Sequence, residues 1–195
     1  MMRIFGQSGS GNCLKVKWTC DLLALPYVWT EIDTFGGGTR TPEFLAMNPA
    51  GQVPVVKFDD GRVLAQSNAI IRYLARDSHL IPQDPFDGAR MDEWLFWEQY
   101  SHEPHIAVCR SQLVYLRKSR DQLDPEKVKR GYAALGRMET QLRATRFLIG
   151  ERVSLADMAL VAYTRVAHEG GFDLATYSAV RRWIGEAEQA LGIAG

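Results

Sequence analysis

Residues 40–75 read RTPEFLAMNPAGQVPVVKFDDGRVLAQSNAIIRYLA, and their punctuation lays out a small α/β unit. Thr41 followed by Pro42 marks a helix start, with a capping residue and then proline at the first helical position. EFLAM allows two turns at most before Asn48-Pro49 ends them. Val53–Phe58 and Arg62–Leu64 are strand runs joined by Asp60-Gly61, a strong hairpin signal. Residues 67–77 then read as a helix with Ile70, Ile71 and Leu74 facing inward.

Towards the N-terminus the same alternation continues. RIFG opens as a strand and SGSGNC (8–13) is a flexible polar loop. Residues 13–25 read as a helix that Pro26 stops. Leu14, Trp18, Leu22 and Leu25 line one face of it, and Cys13, Val16, Cys20 and Leu23 a neighbouring one, a width that suits a helix lying on a sheet. YVWTEID is a strand and FGGGTR a loop. The order β-α-β-α-β-β-α over residues 1–80 is that of one α/β domain. A proline-bearing linker over 81–87 follows, and then an all-α domain over 88–195. Its helices are expected at about 88–118, 125–145, 154–168 and 178–190, with Pro104 bending the first. Asp124-Pro125-Glu126 starts the second. Ser154 and Asp157 form the Asp version of a capping box, with Val153 and Met158 placed to staple it.

Composition narrows the class. Apolar residues make up 46% of 195 and charged residues 24%, ordinary for a globular protein. The 23 basic and 23 acidic side chains cancel, so neither nucleic acid nor an anionic membrane is an expected partner. Cys13, Cys20 and Cys109 are odd in number and form no C-x-x-C, which argues against disulfides and zinc and for a reducing, cytoplasmic setting. No signal pattern or membrane-length apolar run is present. His102 and His105 flank Pro104 without a third ligand, so no metal is expected.

Three stretches carry chemistry. The loop SGSGNC, between a strand and a helix, directs backbone N–H groups and the positive end of a dipole at one spot, which attracts an anion: phosphate, carboxylate or thiolate. Val53-Pro54 at a strand start is either an edge strand or a cis bond that turns the Val53 N–H and C=O outward to pair with a bound peptide. Ser67 in AQSNAI is a helix cap, a carboxylate ligand, or both. In a small α/β sheet, ligands settle beyond strand ends where helices begin. The three stretches together describe a site for a short peptide with a carboxylate at one end and a thiol or other anion at the opening loop. A phosphate loop is disfavoured, because neither G-x-x-x-x-G-K-[ST] nor G-x-G-x-x-G is in register and Lys15 lies beyond the first turn.

With these residues in view, the chain resembles the cytosolic glutathione transferases, in particular the serine-type bacterial, theta-like and nu-like groups. The resemblance rests on residues 40–75, on FLIGERVSLADMALVAY, and on WLFWEQYSHEPHIAVCR, and it covers nearly the whole chain. It implies a thioredoxin-like domain followed by a helical domain, usually as a homodimer. It implies glutathione as co-substrate, conjugated as in detoxification to a small hydrophobic electrophile. Residue by residue, Ser10 matches the serine that donates to the glutathione sulfur, with Ser8 and Asn12 as competitors. Val53 matches the backbone pair to the cysteinyl part, and Gln66 and Ser67 match the γ-glutamyl contacts. Gln52 and Arg40 match the glycyl-carboxylate contacts. Gln66 stands where many members have Glu, and Gln52 where Lys is frequent. Tyr100, His105 and Tyr115 are candidates to line the electrophile pocket. Cys13 is expected to be buried packing and not a nucleophile. Two alternatives remain: a glutathione-dependent disulfide reductase or peroxidase, and a non-catalytic binding or scaffold protein of the same fold.

Overall fold

The computed structural model describes residues 1–193. The chain divides into two compact units, Met1–Ser78 and His79–Gly195.

The first unit runs β1 (Met2–Gly6), α1 (Gly11–Leu22), β2 (Tyr27–Glu31), α2 (Pro42–Met47), β3 (Val55–Lys57), β4 (Val63–Ala65) and α3 (Ser67–Leu74). The strands form one mixed sheet in the order β2-β1-β3-β4. β1 pairs parallel with β2, which requires a crossover, and α1 supplies it. β3 pairs antiparallel with both β1 and β4. β3 is therefore an inner strand, and the edge-strand reading of Val53-Pro54 is wrong. Its ladder starts at Val55, so the missing N–H of Pro54 falls just outside it. The Val53–Pro54 bond is cis. Ile4, Val55 and Val56 of the sheet and Val16, Cys20, Ile70 and Ile71 of the helices are all fully buried, and α1 packs along α3.

α1 differs from its sequence reading in two ways. The buried face carries Cys13, Lys15, Val16, Thr19 and Cys20, while the Leu14–Trp18–Leu22 stripe is only half-buried. The helix also ends before Pro26 can stop it. Ala24 adopts φ +51°, and the Leu25 N–H donates to the Cys20 carbonyl at 2.9 Å, which closes the last turn in the Schellman manner.

The second unit is helical: α4 (Pro85–Trp97), α5 (Glu103–Val114), α6 (Pro125–Ala144), α7 (Leu155–Thr164) and α8 (Ser178–Ala190). α4 begins inside the stretch read as linker, because Asp84 caps it by accepting from the Phe86 and Asp87 N–H groups with Pro85 at the first position. The long first helix is not merely bent at Pro104. A π-helical turn over Glu98–His102 separates α4 from α5, just ahead of the residue that lacks an N–H. The helix read over 154–168 stops at Thr164, and a 3-10 turn follows over Ala167–Gly170.

α7 is buried along its whole length. Its capping box forms: Ser154 Oγ accepts from the Ala156 N–H, and Asp157 Oδ2 accepts from the Ser154 N–H at 2.8 Å. Asp157 Oδ1 also accepts from the Leu148 N–H (3.0 Å) and the Trp183 indole N–H (2.8 Å). Tyr177, at the start of α8, offers no side-chain cap. Glu139 of α6 does so instead, with Oε2 accepting from the Ala179 and Val180 N–H groups at 3.0 Å each. Among the described residues, no helix is long and apolar enough to cross a membrane.

Candidate functional site

The starts of α1 and α3 meet. Ser10 is the N-cap of α1, with extended backbone angles, and its carbonyl accepts from the Cys13 and Leu14 N–H groups at 3.0 and 2.9 Å. Its hydroxyl makes no capping hydrogen bond. Asn12 stands in the first turn, where Oδ1 accepts from Lys15 Nζ at 2.8 Å and from Ser67 Oγ at 3.0 Å. The last contact corrects the reading of Ser67 as a cap. Gln66 is the N-cap, and Ser67 is the first helical residue, buried, with its hydroxyl committed to Asn12. Gln66 is exposed at φ +70° and ψ 110°. A side chain there costs roughly 1–3 kcal/mol of backbone strain, a cost that clusters at ligand contacts. First-turn N–H groups lack intrahelical acceptors, so two sets of donors and two positive dipole ends converge where Asn12 touches Ser67.

The competitor Ser8 is engaged elsewhere. Its N–H and hydroxyl both donate to Glu31, at 2.9 and 2.6 Å, and the Trp29 indole N–H donates to the same carboxylate at 2.7 Å. Burial pushes the Glu31 carboxyl up, but the hydrogen bonds from Ser8 and Trp29 together outweigh it and hold it below the usual range. Glu31 thus anchors the opening loop to the end of β2. Nothing in the run YVWTEID singles it out, because an acid at a strand end reads as solvated surface.

A second group gathers ahead of β3. Asn48 is buried, its Nδ2 donates to the Gln52 carbonyl at 2.8 Å and its Oδ1 accepts from the Ala50 N–H at 3.2 Å. These bonds shape the turn that delivers Gln52 and Val53. In the sequence, Asn48 reads only as a helix stop before proline. Arg40 lies over the same turn, with its guanidinium against Gly51, whose φ of +63° favours glycine. Arg40 thus lies over the turn that carries Gln52, and both residues are exposed. Val53 is half-buried, and its N–H and C=O lie ahead of the β3 ladder.

The cysteines are poor nucleophiles. Burial pushes the Cys13 thiol up, against the Gln7 N–H and the Ser10 hydroxyl, which favour the thiolate. Burial pushes Cys20 up to about 12 and Cys109 above its ordinary value. Elsewhere, His102 Nε2 lies 2.9 Å from Thr164 Oγ1, and burial with Lys127 and Arg130 nearby lowers the His105 pKa. Tyr115 Oη accepts from Arg110, while Tyr100 is 85% exposed. Among the described residues, no three His, Cys, Asp or Glu side chains gather as a metal site would require.

Known proteins resemble this chain in sequence and in fold. The family model for the glutathione S-transferase N-terminal domain matches residues 9–77, and that for the C-terminal domain matches residues 96–189. The crystal structure of a glutathione S-transferase from Pseudomonas fluorescens superposes with a TM-score of 0.93 at 44% identity, covering 96% of this chain and 94% of that one. GstB of Escherichia coli is 26% identical over 189 residues, 94% of this chain and 91% of that protein. Rat elongation factor 1-gamma is 35% identical over 130 residues, 65% of this chain, but that stretch is only 29% of the factor's own length. Both domains in order, and a likeness to a glutathione S-transferase over nearly all of both chains, lead to one conclusion: the chain belongs to the glutathione S-transferase family.

Proposed function

We propose that the protein is an enzyme that binds glutathione, stabilises its thiol as thiolate, and transfers it to a small hydrophobic electrophile. The observation that carries this reading is the meeting of two helix starts at Asn12 and Ser67, with first-turn donors available to anions. The cysteine sulfur would lie at the start of α1. A free thiol ionises near about 8.5 and falls to roughly 3.5–7.5 near a helix N-terminus. The Ser10 hydroxyl, which no cap consumes, adds a charge-assisted hydrogen bond. The γ-glutamyl carboxylate would take the N–H of Ser67, with Gln66 beside it. Val53 would pair with the cysteinyl backbone as an added strand does. Gln52, on the turn that Asn48 shapes, and Arg40, which lies over that turn, would take the glycyl carboxylate. Direct calorimetry tests the reading: glutathione should bind at micromolar to millimolar concentration, and absence of binding would favour the scaffold alternative.

Disulfide reduction with glutathione is the second reading, and one observation favours it. Asn12 is held firmly at the start of α1, where an amide could serve a sulfur as well as a hydroxyl could. Turnover of a model disulfide, compared with turnover of a halogenated aromatic electrophile, separates the two. We further propose a cytoplasmic homodimer with no nucleic-acid or membrane partner. Phe96 and Tyr100, one turn apart, are 78% and 85% exposed and give a second copy an apolar surface to cover. Light scattering at micromolar concentration should give twice the 22.0 kDa chain mass.

A further inference from the structure

We propose that Glu31 is a positioning residue for the thiolate at the start of α1: from the end of β2 it clasps the loop that carries Ser10 and fixes where the Ser10 hydroxyl stands. The inference rests on the glutathione reading above and on Ser10 as the donor within it.

The ladder between β1 and β2 ends at Gly6 and Glu31, and α1 starts at Gly11. Gln7, Ser8, Gly9 and Ser10 span the gap. Two bonds fold this loop on itself and onto the helix. The Ser10 N–H donates to the Gln7 carbonyl at 3.0 Å, and the Gln7 N–H to Cys13 Sγ at 3.4 Å. Glu31 ties the loop to the sheet. Oε1 accepts from the Ser8 N–H at 2.9 Å, and Oε2 from the Ser8 hydroxyl at 2.6 Å. One residue is thus gripped by backbone and side chain, two positions before Ser10. The carboxylate is itself held: the Trp29 indole N–H donates to Oε2 at 2.7 Å, and the Trp29 ring packs on Gly6 of β1, where an added Cβ would meet it at 2.5 Å.

Glu31 is exposed, so burial of apolar surface does not account for the arrangement. Its charge does not serve a thiolate either, because a carboxylate nearby disfavours a second anion. What it supplies is position. A hydrogen bond weakens steeply as its angle falls off, so a loop free to shift by about an ångström would hold Ser10 out of line with the sulfur for part of the time.

The test is an ultraviolet pH titration of glutathione thiolate bound to the parent, Glu31→Ala, Glu31→Gln, Ser10→Ala and the double variant of Glu31→Ala with Ser10→Ala. Glu31→Ala should raise the bound thiol pKa by about one unit, a roughly tenfold loss of thiolate at a pH below it. Removal of a nearby negative charge would by itself lower that pKa, so the sign separates positioning from a through-space effect. The double variant should match Ser10→Ala alone, because Glu31 acts through Ser10. Glu31→Gln keeps one acceptor oxygen in place of two. It should raise the pKa by less than Glu31→Ala does, and it serves if Glu31→Ala does not fold. Ser8→Ala keeps the N–H bond to Oε1 and should leave the value where it was. An unmoved or lowered pKa in Glu31→Ala, or in Glu31→Gln used in its place, overturns the proposal while leaving the glutathione reading intact. So does a Glu31→Ala shift that persists in the Ser10→Ala background. A parent that fails to bind glutathione overturns both.

Discussion

Ser10 and Ser154 occupy the same formal position, the N-cap of a helix, in the two units of this chain. At α7 every group is spent internally. Ser154 caps, Asp157 caps back, and the same carboxylate takes N–H groups from Leu148 and Trp183. At α1 the residue three after the cap is Cys13, not an acid, and the Ser10 hydroxyl does no capping. The third helical position is an acid that caps back at α7 and a cysteine at α1. The closed start ties its helix into the fold; at α1 the Ser10 hydroxyl caps nothing, and in the proposed function it serves a ligand thiolate.

The comparison can be broken most sharply at Asp157. Asp157→Ala leaves the buried Leu148 N–H and Trp183 indole N–H without their acceptor, at a cost of about 3–5 kcal/mol in all. That is a large fraction of a domain's stability of roughly 5–15 kcal/mol. Urea unfolding should show a midpoint shifted far to lower denaturant. Normal unfolding with abolished turnover would mean that α7 carries chemistry.

Ser10→Ala should do the opposite. Loss of a charge-assisted bond worth about 1.5–3 kcal/mol raises the bound thiol pKa by roughly one to two units and lowers turnover at neutral pH to match. Glutathione affinity should hardly change, since Val53, Gln66 and Ser67 are untouched. Stability should fall by less than about 0.5 kcal/mol, below the loss typical of a working cap. If Ser10→Ala instead costs as much stability as Ser154→Ala, the two helix starts are not different in kind.

Glu139 offers a closed start made by a distant side chain. Burial raises its carboxyl, but the Val180 and Ala179 N–H groups and Arg143 outweigh burial and leave it below the ordinary 4.5. A folded value below the unfolded one means that the contribution is complete above the unfolded value and is lost as pH falls through the folded value. Glu139→Gln should cost about 1–2 kcal/mol at neutral pH and make stability less steep in acid, below about 4.5. An acid limb as steep as the parent's would remove Glu139 from this role. The smallest effect belongs to Ser8→Ala. Its hydroxyl is turned to Glu31, so the bound thiol pKa should stay within error of the parent, and a rise like that of Ser10→Ala would shift the donor assignment by two residues.

Local signals carried much of the fold. Thr41-Pro42, Asp60-Gly61, Asp124-Pro125 and the Ser154–Asp157 box are short-range devices, and each is found where its residues stand. Features set by contacts between distant segments were not legible. The inner position of β3 depends on pairing with β1, fifty residues away in the chain. The burial of Lys15 is not legible either, because a single lysine on a helix is mostly solvated, whereas here it is buried with Asn68 of α3 beside its ammonium. Ser67 reads as a cap because its hydroxyl's true partner lies at Asn12, in a different helix. Glu31 and Asn48 support the candidate site through bonds to loops that the sequence cannot orient.

The π-helical turn over Glu98–His102 bears on how the chain's length can change over evolutionary time. Such a turn is what a helix becomes when it absorbs one inserted residue and keeps its flanks in place. Each residue of an α-helix advances the face by about 100°, so one inserted within α4 or α5 would swing Trp94 or Ile106 out of the core. The same change at 98–102 is taken up locally. A chain one residue shorter there could run as a continuous α-helix and still present Met91 and Trp94 before the junction, and Ile106 and Cys109 after it, on their buried sides. Length differences among relatives should therefore be tolerated at this turn better than one helical turn to either side, and single-residue deletions scanned from 92 to 110 would map that tolerance directly.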